Sequence, residues 1–162
     1  MNIEITGSII ISRDAKYVFN FISNLENDKL WRKEINFTEM SAAPQLNVTA
    51  TESSYLSKRA PNNILNLICT AFTKDKQIVF KTLHNSDFFL ESIRKVETVS
   101  ANETRFNYSI KFSRNIVKHG LGFNLPCFII RFAATSDMKK YLARLKAILE
   151  ADTAEGVNTK IE

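Results

Sequence analysis

Apolar residues alternate with polar ones at the start of the chain, where Ile3, Ile5, Ile9 and Ile11 share one face and Gly7 falls in the same series. A period of two predicts a half-buried strand over 3–11, and the glycine inside it predicts a bulge. The period then changes. Ser12-Arg13-Asp14 is a helix start, and Val18, Phe19, Ile22 and Leu25 recur at helical spacing, which predicts a short amphipathic helix over about 14–25. Asn24, Asn27 and Asp28 break it before a second short apolar turn carrying Leu30 and Trp31.

The middle of the chain is strand in character throughout. Segments 35–40, 46–56, 64–74, 77–83, 88–99 and 104–113 are rich in β-branched or aromatic residues, and turn chemistry such as Ala60-Pro61-Asn62-Asn63 and His84-Asn85-Ser86-Asp87 separates them. Short connectors between neighbouring strands predict an antiparallel meander. Residues 115–123, with Gly120 and Gly122, read as a loop. Asn124 as N-cap and Pro126 in the first turn then open a long helix over 124–150. Its apolar positions include Phe128, Ile129, Phe132, Met138, Tyr141, Leu142, Leu145, Ile148 and Leu149. Thr135-Ser136-Asp137 offers a second cap that would divide it. Residues 151–162 are polar and aperiodic, so the expected organisation is one domain over 1–150 and a frayed tail over 151–162.

Composition narrows the class. Of 162 residues, 44% are hydrophobic and 24% charged, which excludes a disordered chain, and no apolar run is long enough to span a bilayer. Twelve Phe against four Tyr and one Trp indicate an interior with much apolar wall. The net charge of +5 is dispersed rather than clustered, which argues for a solvated surface over a nucleic-acid partner. Cys69 and Cys127 lie inside apolar runs, where reduced thiols act as small hydrophobes. With no leader pattern at the N-terminus, the expected location is cytoplasmic.

In the last strand Phe106, Tyr108, Ile110 and Phe112 alternate with Arg105, Asn107, Ser109 and Lys111, so the aromatic set faces inward. A register that pairs Phe106 with Thr98, Tyr108 with Val96, Ile110 with Arg94 and Phe112 with Ser92 places Phe88, Leu90, Ser92, Arg94 and Val96 inside. Slipping by one residue would bury Glu91, Lys95 and Glu97 instead, at far greater cost. Arg94 is therefore the charge expected inside. Its partner is either a ligand carboxylate or phosphate, or a structural carboxylate such as Glu52.

The order of elements is α+β: a strand, two short helices, six antiparallel strands and a long helix, the only one able to cover a curved sheet. At this level the chain resembles the START-like superfamily, the helix-grip fold of birch-pollen-allergen-like, polyketide cyclase/dehydrase and lipid-transport proteins. The resemblance rests on Ile9-Ile10-Ile11-Ser12-Arg13-Asp14-Ala15-Lys16-Tyr17-Val18-Phe19, on Trp31, on the hairpin from Val96-Glu97 to Thr104-Arg105-Phe106, and on the closing segment Tyr141 to Glu150. The hairpin has Glu103 where such proteins often carry glycine. The resemblance implies a cavity between sheet and long helix that admits an apolar or amphipathic small molecule.

The residues expected to line it are Trp31, Phe80, His84, Leu90, Ser92, Arg94, Tyr108, Ile110, Phe112, Phe128 and Phe132, with Phe128 or Phe132 meeting the strand aromatics from the helix. Tyr108 is the strongest polar candidate, because alternation places its ring inside while its hydroxyl needs a partner. His84 and His119 sit in predicted turns. No zinc-ligand spacing, activated thiol, phosphate loop or nucleophile elbow occurs, so neither metal nor cofactor is expected and no catalytic residue is assigned. The leading expectation is a binding or transport module for a lipid, isoprenoid or polyaromatic, acting as a monomer or weak homodimer without stable membrane insertion. A cyclase/dehydrase-like enzyme and a stress-response or interaction domain with a filled interior are the alternatives.

Overall fold

A computed structural model describes the backbone of residues 1–158 and the side chains of residues 1–151. Strand β1 (Asn2–Ile11) leads into α1 (Ala15–Ser23), a single 3-10 turn (Leu25–Asn27) and α2 (Asp28–Trp31). Six strands follow: β2 (Ile35–Met40), β3 (Thr49–Ser54), β4 (Asn63–Thr73), β5 (Gln77–Thr82), β6 (Leu90–Ser100) and β7 (Glu103–Ser113). Helices α3 (Arg114–Leu121) and α4 (Cys127–Asn158) close the chain. The sheet is antiparallel with order β1-β7-β6-β5-β4-β3-β2, so the first strand joins the last and the hairpins run in sequence. With α4 against β1 and α1 against β6, this is the α+β helix-grip architecture.

Local chemistry accounts for the elements. Asp14 caps α1, its carboxylate accepting the Tyr17 amide at 2.9 Å. Val18, Phe19 and Ile22 turn to the core, where each large side chain fully withdrawn from water contributes roughly 1.5–3 kcal/mol. The inward set of β1 continues without a break through Ile3, Ile5, Gly7, Ile9 and Ile11, paired with Phe112, Ile110, Tyr108, Phe106 and Thr104. The bulge expected at Gly7 is therefore absent. What the position requires is space: a Cβ there would lie 2.7 Å from Met138 Cγ and 2.8 Å from Leu142 Cδ1, because α4 crosses the strand at this point.

The β6–β7 register differs from the expected one by two residues. Phe106 pairs Val96, Tyr108 pairs Arg94, Ile110 pairs Ser92 and Phe112 pairs Leu90, since the turn is tight and an extra residue is absorbed between Thr98 and Ser100. A shift of two leaves every side chain on its own face. Ser92, Arg94, Val96, Phe106 and Tyr108 are buried as expected.

Two helical segments also differ. Residues 114–121 are helix rather than loop: the Ser113 hydroxyl accepts the Asn115 amide, Ile116 is buried, and Gly122 at φ 83° ends the helix in the left-handed conformation that glycine tolerates. Helix α4 begins at Cys127, three residues later than expected, and Thr135-Ser136-Asp137 does not divide it. Its backbone continues through Asn158, past the position where a tail was expected; residues 159–162 lie outside the described residues. Cys69 is buried and both thiols are free. No helix among the described residues is long and apolar enough to cross a membrane.

Candidate ligand-binding cavity

Helix α4 touches the sheet unevenly. Its C-terminal half is bound tightly to β1: Leu142, Leu145 and Leu149 are buried, Lys146 Nζ donates to the Ile10 carbonyl at 2.7 Å, and Glu150 Oε1 accepts the Ser12 amide at 2.9 Å. Toward its N-terminus the small side chains of Ala133 and Ala134 border a gap, with Ile129 and Ile130 beyond them. Between them, the concave face and α3, a cavity of about 680 Å³ opens.

Leu65 of β4, Leu90 of β6, and Tyr108, Ile110 and Phe112 of β7 form the cavity wall on the sheet side. Ile116 and Val117 of α3 and Ile129, Ile130, Ala134, Met138 and Tyr141 of α4 form the other. Exposed Tyr55, Leu121 and Ile129 stand at the rim. Polar side chains converge from the segment after α2 (Arg32, Lys33, Glu34), from β3 (Glu52, Ser54) and from α4 (Asp137). The volume and the few convergent polar groups suit a small-molecule site.

Behind one end of the cavity lies a buried ion network. Arg94, fully buried, donates through Nη1 and Nη2 to Asp28 Oδ1 and Oδ2 at 2.8 and 2.5 Å, through Nη1 to the Ile22 carbonyl at 2.8 Å, and through Nε to Ser92 Oγ at 3.2 Å. Its guanidinium lies 5.4 Å from the ring centres of both Trp31 and Tyr108. Asp28 also accepts from Arg32 at 3.0 Å, and Arg32 reaches Glu34 at 2.8 Å and Glu52 at 3.4 Å. Burial works against the charge on Arg32, yet Tyr108, Glu34, Glu52 and Asp28 around it hold its pKa well above the ordinary value. Burial raises Glu52, with Arg32 opposing and Asp28 and Glu34 reinforcing the rise. Burial likewise raises Tyr108, so its hydroxyl stays neutral, and that hydroxyl has no hydrogen-bond partner among the described residues.

Of the side chains expected at the cavity, Leu90, Tyr108, Ile110 and Phe112 line it. The others stand elsewhere. Arg94 faces inward but is sealed behind Trp31 and Tyr108 and engaged by Asp28, with Ser92 beneath it. Trp31 packs edge-on against Phe106 and Tyr108, at 6.2 and 5.4 Å, within the core. Phe80 is core on β5. His84 is exposed in the turn after β5, and His119, on the outer side of α3, packs against Phe88 at 5.2 Å.

Phe128 and Phe132 are 72% and 79% exposed, the reverse of expectation. The helix buries Ile130, Met138, Leu142, Leu145 and Leu149; positions two residues from that row are rotated about 200° from it and point to solvent. Arg32, Ser54 and the cavity-lining residues of α3 stand outside the expected set, and Glu52 was expected only as an inward carboxylate. The Ile130-Ala134-Met138-Leu142 spacing of four was a readable signal for the helix wall; nothing local marked Arg32. Among the described residues, no group of three His, Cys, Asp or Glu side chains is placed to hold a metal ion.

No family model and no curated protein matches the sequence. Solved structures do. A START superfamily protein from Mycobacterium smegmatis matches at TM-score 0.71 and 10% identity, over 91% of this chain and 97% of that one. The Zhui aromatase/cyclase from Streptomyces sp. R1128 matches at 0.71 and 11%, over 93% and 94%. A norcoclaurine synthase from Thalictrum flavum, solved with a transition-state analogue, matches at 0.61 and 7%, over 94% and 97%. At these identities what is shared is the START-like helix-grip fold.

Proposed function

We propose that this START-like helix-grip domain binds an apolar or amphipathic small molecule between its sheet and long helix. The observation that carries the reading is the 680 Å³ cavity, apolar on both walls, with its polar side chains gathered from β3, α4 and the segment after α2. A lipid, isoprenoid or polyaromatic of moderate size suits such a space. An interior filled by its own side chains does not agree with a cavity of this volume.

A second reading, a cyclase/dehydrase-like enzyme, is favoured by one feature. Glu52 and Tyr108 both border the cavity, one a carboxyl raised by burial and the other an unpartnered hydroxyl, and groups of this kind can exchange protons with a bound carbonyl compound. The likeness to an aromatase/cyclase fold is compatible with either reading.

The binding reading is tested by titrating a neutral fluorescent naphthylamine into the protein and into Ala134→Trp, whose indole would occupy the cavity. Wild type should bind the probe and the variant should lose about tenfold or more in affinity while remaining folded. Equal binding by both proteins places the probe outside the cavity and removes the basis of the proposal. Native mass spectrometry of freshly purified protein would identify any ligand carried through purification.

A further inference from the structure

The charges around the cavity decide what kind of head group it accepts. Three cations stand at or just behind its polar end: Arg32, Lys33 and Arg94. Four carboxylates face them: Asp28, Glu34, Glu52 and Asp137. Each cation is already engaged. Arg94 is bound by both oxygens of Asp28, Arg32 divides its donors among Asp28, Glu34 and Glu52, and Lys33 reaches Asp137 at 3.1 Å. A ligand carboxylate or phosphate entering here would find both guanidinium groups already engaged and the Lys33 ammonium paired at the exposed rim, and would meet the Glu34 and Glu52 carboxyls on the wall. Of the other cations, Arg114 is not part of the cavity wall and donates to the Leu125 carbonyl, while Lys58, Arg59 and Lys118 are exposed and screened by solvent.

The polar end offers acceptors on its wall. Glu52 and Glu34 present carboxylate oxygens, Glu34 lying within reach of the Tyr141 hydroxyl, and the Tyr108 hydroxyl, able to accept as well as donate, is buried without a partner among the described residues. A buried acceptor left unmade is costly, and a ligand donor that reaches it recovers that cost.

Resting on the reading of the cavity as a binding site, we infer that its ligand is an apolar molecule ending in a neutral or cationic hydrogen-bond donor, an alcohol, phenol or amine, and not in an acid. Glu52 is the residue that sets the discrimination, because it is the buried carboxyl on the wall itself and its oxygens can accept from a hydroxyl or an ammonium.

The test displaces the bound neutral naphthylamine with dodecanol, dodecylamine and dodecanoate, each below its micellar concentration and near neutral pH. The alcohol and the amine should compete at concentrations about tenfold or more below the carboxylate. Dodecanoate competing as well as or better than dodecanol overturns the inference while leaving the cavity reading intact. Failure of wild type to bind the probe or any of the three chains overturns the cavity reading, and the head-group inference with it. Glu52→Gln should narrow the gap between amine and carboxylate by several-fold. If that variant does not fold, the wild-type ranking alone still decides.

Discussion

The Arg94–Asp28 pair gives the sharpest test of the interior. Replacing Arg94 with Met removes two charge-assisted bonds to Asp28, one bond to the Ile22 carbonyl and one to Ser92 Oγ. Breaking a buried pair from one side costs about 3–5 kcal/mol, because the partner charge is stranded. Here the loss should fall at the low end, about 3 kcal/mol, since Asp28 retains Arg32 at 3.0 Å. Asp28→Asn should cost more, about 4–5 kcal/mol, because it leaves Arg94 buried without a hydrogen-bonded carboxylate. The double variant should cost less than the sum of the two, with a coupling energy of about 2–3 kcal/mol. Urea unfolding is the assay, followed through Trp31, the only tryptophan in the chain, whose ring lies beside the Arg94 guanidinium. An Arg94→Met variant within about 1 kcal/mol of wild type, or a coupling energy near zero, would refute the network as drawn.

Three further outcomes are expected. Phe106→Ala should destabilise by about 3–5 kcal/mol as a fully buried ring, whereas Phe112→Ala, at the cavity wall, should cost less than about 2 kcal/mol; equal losses in denaturant unfolding would mean the cavity is closed in solution. Gly7→Val should cost about 1–3 kcal/mol by forcing Met138 and Leu142 aside, and should alter probe binding because Met138 is part of the cavity wall; an unchanged melting temperature would contradict the close crossing of α4 over β1. Glu150 is held below its ordinary pKa of 4.5 by its hydrogen bond with Lys146 and by the Ser12 amide, so the folded state binds its proton more weakly than the unfolded state does. The stability it contributes is present above that value and lost as pH falls through the lowered one, and Glu150→Gln should flatten this part of the acid limb in melting temperatures taken across it.

Much of the fold was legible because strand and helix periods are local. The alternation from Phe106 to Phe112 assigned the inward face of β7 correctly even though the pairing with β6 is offset by two residues, since an even shift exchanges neighbours without exchanging faces. Arg94 was legible as an inward charge for the same reason, its alternative being three buried charges. Its partner was not: Asp28 reaches it from α2, on a different element 66 positions away, and no pattern along the chain reports that meeting. Helix α4 carries apolar residues on more than one side, so the sequence alone could not choose between the row of Ile130 and Met138 and the pair Phe128 and Phe132. That choice followed from where β1 lets the helix approach, at Gly7. Helix α3 was hidden by two glycines, one closing the helix and the other packed on Leu56. The chain by itself determined which faces of its strands are apolar and that a long helix must cover them. Only the tertiary structure decided that the helix rests firmly at one end and stands off at the other, because the gap depends on distances between elements that meet only once the chain has folded.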